Sequence, residues 1–103
     1  MTQIRMKNIE RRIEKIKASL SALGEMRPGT LSLQYKDPEN AKGPYYQLSY
    51  TLNKRSRTAY VSEAALKDVR SQVANYKTFK ELTAEWVELS VEHARLKKAL
   101  KQS

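Results

Sequence analysis

The residues able to do chemistry in this chain are unevenly distributed by type. It has no cysteine and a single histidine, His93. That removes thiolate zinc sites, disulfide scaffolds, cysteine nucleophiles and His-pair metal sites together. His93 falls on an apolar helical stripe, four residues after Leu89 and three before Leu96, where a polar residue serves to set helix register. Asp37, Glu39 and Asn40 lack the spacing of a calcium loop, and no phosphate-binding or dinucleotide fingerprint is present. The expectation is a non-enzymatic protein with no catalytic residues, no metal and no cofactor.

What the chain has in quantity is positive charge and tyrosine. Twenty Lys and Arg stand against eleven Asp and Glu, a net charge of +9, which favours polyanionic partners. The cations without an evident acidic neighbour are Lys54, Arg55 and Arg57 at a β-hairpin tip, Lys67, Arg70, Lys77 and Lys80 on the following helix, and a C-terminal group ending at Lys101. A Lys-Arg-x-Arg ribbon tip can enter a groove while the helix cations hold the backbone. Lys54, Arg55, Arg57, Arg70, Lys77 and Lys80 are therefore the expected phosphate contacts. The plainer reading is that such charges keep a strand edge soluble. Five of the six tyrosines, at positions 35, 45, 46, 50 and 60, fall in the strand region. Tyr46 and Tyr50 alternate onto the core face, whereas Tyr45 and Tyr60 fall on the opposite face, where a ring can stack on a base or anchor a protein partner.

These residues must be held by a small core, because 40% of the 103 residues are hydrophobic and 30% are charged. Met6, Ile9, Ile13, Ile16, Leu20 and Leu23 step by alternating threes and fours, a heptad stripe that predicts a helix over 2–23. Gly24 is the expected left-handed cap, and Pro28-Gly29 blocks a restart. From Thr30 the period becomes two. Leu31, Leu33 and Tyr35 mark one strand, a loop is expected from Lys36 to Pro44, and Tyr46, Leu48, Tyr50 and Leu52 mark the next strand. Asn53-Lys54 fits a two-residue turn that pairs Leu52 with Arg55 and Tyr46 with Val61. Ser62 caps a final helix over 63–101, whose stripe shifts face between Tyr76 and Phe79.

The prediction is one α+β domain over 1–103: a hairpin or three-stranded antiparallel meander over 29–61 between two helices that form an antiparallel coiled coil. The acidic block Glu81, Glu85, Glu88 and Glu92 is expected to lie along Arg11, Arg12, Lys15 and Lys17. Trp86 is expected to be buried near Ile16. The stripes also permit a homodimer in place of a monomer. No apolar run is long enough to span a membrane and no signal segment is evident, which predicts a cytoplasmic protein with no membrane partner.

The central segment resembles a family of short prokaryotic proteins of uncharacterised activity, many encoded beside transposases. The matching residues are Met26-Arg27-Pro28-Gly29-Thr30-Leu31, Gly43-Pro44-Tyr45-Tyr46-x-Leu48-Ser49-Tyr50, Ser56-Arg57-Thr58 and Asn75-Tyr76, within a span of roughly residues 20–90. Members carry a Cys-rich insertion, similar to a zinc knuckle, before the Gly-Pro-Tyr step. Residues 36–42 here contain no cysteine, so a metal-dependent role does not carry over. The resemblance implies a mobile-element or phage context. The functional expectation is a nucleic-acid-binding accessory protein of such an element. The alternative is a small protein-interaction module, an inhibitor or adaptor acting on a nucleic-acid enzyme of a defence or transposition complex.

Overall fold

The computed structural model describes residues 1–102, in the order α1 (Thr2–Ala22), β1 (Thr30–Asp37), β2 (Lys42–Leu52), β3 (Arg55–Val61) and α2 (Glu63–Gln102). The chain is α+β, with an antiparallel sheet in the order β1-β2-β3. It forms two compact units. One runs from Gly24 to Lys77; the other joins α1 to α2 from Thr78 onward.

In the Gly24–Lys77 unit, the turn residues Asn53 and Lys54 have φ of 54° and 65°, both positive, as a type I′ hairpin turn requires. The turn sets Leu52 opposite Arg55, Tyr50 opposite Arg57, Leu48 opposite Ala59 and Tyr46 opposite Val61, the register expected from alternation. β1 pairs on the other side, with Leu31 opposite Leu48 and Leu33 opposite Tyr46. One face of the sheet thus collects the apolar residues, and the first part of α2 covers it. Leu48, Val61 and Val69 form the buried centre, packed by Leu31, Tyr46, Tyr50, Ala65, Leu66 and Val73. Ser62 caps that helix, its hydroxyl accepting from the Ala65 N–H at 3.2 Å.

Two local expectations change. The loop expected from Lys36 to Pro44 is only a turn over 38–41, because the strands continue to Asp37 and from Lys42. Pro44 is tolerated within β2 because β3 ends at Val61, opposite Tyr46, so the missing N–H disrupts no ladder there. Gly24 is not a left-handed cap, since the glycines with positive φ are Gly29 and Gly43. α1 instead ends where Leu23 turns extended, at φ −66° and ψ 139°. The following segment is tied to α2 by the Arg27 N–H donating to the Gln72 carbonyl at 3.2 Å and the Asn75 amide donating to the Glu25 carbonyl at 2.8 Å.

In the other unit, α1 and the later part of α2 run antiparallel, as the pairing of Arg5 with Glu92 and Arg12 with Glu85 requires. Ile9 and Ile16 are fully buried, while Ile13, Leu82, Leu89 and Leu96 are half-buried. The expected alignment of acidic and basic rows holds only for Arg12. Arg5, which had not been expected to pair, is the second partner; Lys17 pairs within α1 to Glu14 at 3.3 Å. The heptad explains the choice. Arg5 and Arg12 are seven residues apart and directly precede stripe positions 6 and 13, as Glu85 and Glu92 directly precede 86 and 93, so both pairs flank the same side of the seam. Arg11 and Lys15 are exposed and make no ion pair among the described residues. Trp86 is half-buried rather than buried, and the Lys17 ammonium lies 5.5 Å from its ring centroid. α1 covers one stripe of this part of α2 and leaves Val87 and Val91 about two-thirds exposed beside that indole.

Candidate nucleic-acid interface

Lys54 sits in the I′ turn, and Arg55 and Arg57 follow on β3. Their pairing with Leu52 and Tyr50 directs both arginines to the side of the sheet that α2 covers, yet both are exposed. Arg70 of α2 stands on that side as well, its guanidinium 5.5 Å from the Tyr46 ring centroid, within cation–π distance. Lys77 follows two helical turns later, about 10 Å along the axis and on a similar face. Arg55, Arg57 and Arg70 are thus brought to one side of one sheet. Lys80 is also exposed and follows Lys77 by three residues on the same helix.

The seam of the helical unit is flanked by ion pairs. Arg5 and Arg12 each make bidentate hydrogen bonds to their glutamates, at 2.7 and 2.9 Å and at 2.6 and 2.8 Å. Those hydrogen bonds hold the Glu85 and Glu92 carboxyls below the usual carboxylate range and raise both guanidinium pKa values further. His93 bonds Glu10 through Nε2 at 3.0 Å and sits half-buried on the seam, at the stripe position expected for it. By contrast, among the described residues none of Lys54, Arg55, Arg57, Arg70 and Lys77 is ion-paired. Exposed cations without an ion pair occur on α1 as well, at Lys7, Arg11 and Lys15.

On the opposite face of the sheet, the rings of Tyr45 and Tyr60 lie 6.5 Å apart, tilted by 35°. Tyr60 is 73% exposed, and Tyr45 is half-buried, more covered than alternation suggested. Both line an open cavity of about 820 Å³ that also reaches Tyr35, Tyr46, Leu33, Pro44 and Glu63. Tyr35 and Tyr46 were missed as site residues because they alternate onto the core face. The overlooked signal is length: β2 extends past the end of β3, so the two half-buried rings also border the open space beyond Val61. Among the described residues no group of three His, Asp or Glu side chains is placed to hold a metal ion. Nor is any helix of those residues long and apolar enough to cross a membrane.

Fold and charge together define an α+β protein with a three-stranded sheet and unpaired cations on its helix-covered side. The chain belongs to the family described as domain of unknown function DUF6788, matched over residues 6–71. That match takes in most of α1, the whole sheet and the start of α2. No curated protein and no solved structure matches the chain.

Proposed function

We propose that this protein is a non-enzymatic nucleic-acid-binding accessory protein of a mobile element or phage, contacting phosphates through Lys54, Arg55, Arg57, Arg70, Lys77 and Lys80. The observation that carries the reading is the set of exposed cations at the hairpin and on the adjoining part of α2 that make no ion pair among the described residues. The arginines flanking the helical seam are neutralised by glutamates, while Lys54, Arg55 and Arg57 at the hairpin and Arg70 and Lys77 on α2 are exposed without an acidic partner. Cations used to hold a helix pair together find carboxylates within their own chain; cations left over are available to phosphates. The mobile-element context comes from the resemblance of the Gly-Pro-Tyr-Tyr and Ser-Arg-Thr segments.

Salt dependence tests this directly. If about 5 phosphates of duplex DNA are engaged, log K falls against log[salt] with a slope of about −4.5. Binding that ignores salt, or that survives Arg55→Glu combined with Arg57→Glu, overturns the assignment. A second reading, a small inhibitor or adaptor acting on a nucleic-acid enzyme, is favoured by the exposed Tyr60 ring beside Tyr45, since tyrosine is enriched at interface hot spots. Pull-down from the source cell with and without nuclease separates the two. Partners lost after nuclease support nucleic acid, and partners retained support the adaptor.

A further inference from the structure

We propose that the tyrosine groove at the end of the sheet is a binding site for single-stranded nucleic acid, with bases stacked on Tyr60 and Tyr45. This rests on the nucleic-acid reading above and names its substrate class.

Four of the six tyrosines, Tyr35, Tyr45, Tyr46 and Tyr60, converge on one open cavity of about 820 Å³. The sheet creates it by a mismatch of strand lengths. β3 stops at Val61, opposite Tyr46, while β2 begins four residues earlier at Lys42, so rings from both faces of β2 reach the uncovered end. Tyr60 is 73% exposed, with Tyr45 beside it on a face otherwise built from serine, threonine and glutamine. At 6.5 Å and a 35° tilt Tyr45 and Tyr60 form an aromatic pair, and the exposure of Tyr60 leaves its outer face open to solvent.

Cations stand near the groove without lining it. Arg70 lies over Tyr46 on one side of the sheet, and on the other the aliphatic stem of Lys36 lies against Gly43, two residues from Tyr45. Aromatic rings near cations are the arrangement that binds single strands, whose bases offer free π-faces while phosphates meet the charges. A duplex keeps those faces stacked inside and cannot use the rings. The hairpin tip lies elsewhere: from Tyr46 to Leu52 is six residues, about 20 Å along β2. Phosphate contacts at the tip and base stacking in the groove can therefore be altered separately. Glu63 is the one charged side chain lining the groove, and it opposes a phosphate backbone.

The test is fluorescence anisotropy with a labelled oligothymidylate of about 15 nucleotides and, in parallel, a duplex of equal length at the same salt. The oligothymidylate is expected to bind more tightly than the duplex. Tyr60→Ala and Tyr45→Ala are each expected to weaken it by roughly 5- to 150-fold, the worth of one stacked base, while leaving duplex binding unchanged. Tyr60→Phe, which keeps the ring, should retain affinity, and Glu63→Gln should increase it. Circular dichroism of the exposed-site variant Tyr60→Ala confirms that the fold is intact. If the tyrosine variants leave oligothymidylate affinity unchanged while Arg55→Glu with Arg57→Glu abolishes duplex binding, this inference fails and the proposed function stands. If neither probe binds, both fail. A protein partner that resists nuclease and is lost in Tyr60→Ala overturns the groove as a nucleic-acid site.

Discussion

Replacing Gly29 by alanine should strongly destabilise the sheet-bearing unit. Gly29 has φ of +135°, in a region that side chains disfavour, and a Cβ built there meets Leu48 Cδ1 at 2.8 Å, the Ser49 carbonyl oxygen at 2.9 Å and Leu48 Cγ at 3.0 Å. None of these can give way easily. Leu48 is fully buried at the centre of the core, and Ser49 is the backbone partner of Thr30 where β1 begins. The backbone strain costs about 1–3 kcal/mol and the overpacking about 1–3 kcal/mol, so roughly 2–6 kcal/mol is expected. Against the ~5–15 kcal/mol that holds a typical domain together, and at about 4–8 °C of melting temperature per kcal/mol, the midpoint should fall by roughly 10 °C or more. Urea and thermal unfolding followed by circular dichroism measure it. Gly24→Ala is the control. Its Cβ meets only the Asn75 side-chain nitrogen, at 3.5 Å, and its φ is not positive, so it should be neutral or gain about 0.4–1 kcal/mol. Equal stabilities for the two variants would refute the reasoning.

The helical unit should respond to acid in a defined direction. Glu85 and Glu92 have pKa values depressed by the Arg12 and Arg5 hydrogen bonds, so their stabilisation is fully present above the unfolded carboxylate pKa and is lost as pH falls through the lower folded values. Acid titration of helicity should show that loss, and Arg5→Ala with Arg12→Ala should flatten it. Trp86→Ala should cost about 2 kcal/mol, less than a fully buried indole, because the ring is only half-buried; its emission should be intermediate and accessible to a soluble quencher. Ser62→Ala removes the hydroxyl that caps α2 at the Ala65 N–H and should cost about 1 kcal/mol by urea unfolding, with Ser62→Asp restoring most of it.

Local periodicity carried most of the architecture. The heptad stripe from Met6 to Leu23, the alternation from Leu31 to Val61 and the turn-forming Asn53-Lys54 determine element order, hairpin register and the antiparallel helix pair, because each depends on residues close in sequence or on a repeat that only one partner matches. Where chain segments distant in sequence meet was decided by tertiary structure alone. Glycine composition pointed to Gly24 as the special backbone position, but the close approach of Leu48 and Ser49 assigns that role to Gly29. The counter-charges of the seam involve Arg5 as well as Arg12 because the exact offset of two facing helices, invisible in either stripe, chooses which side chains flank it. Tyr35 and Tyr46 alternate as core residues and nevertheless line an open groove, because burial requires a neighbouring strand to continue past them. Only the assembled sheet reveals that β3 ends at Val61.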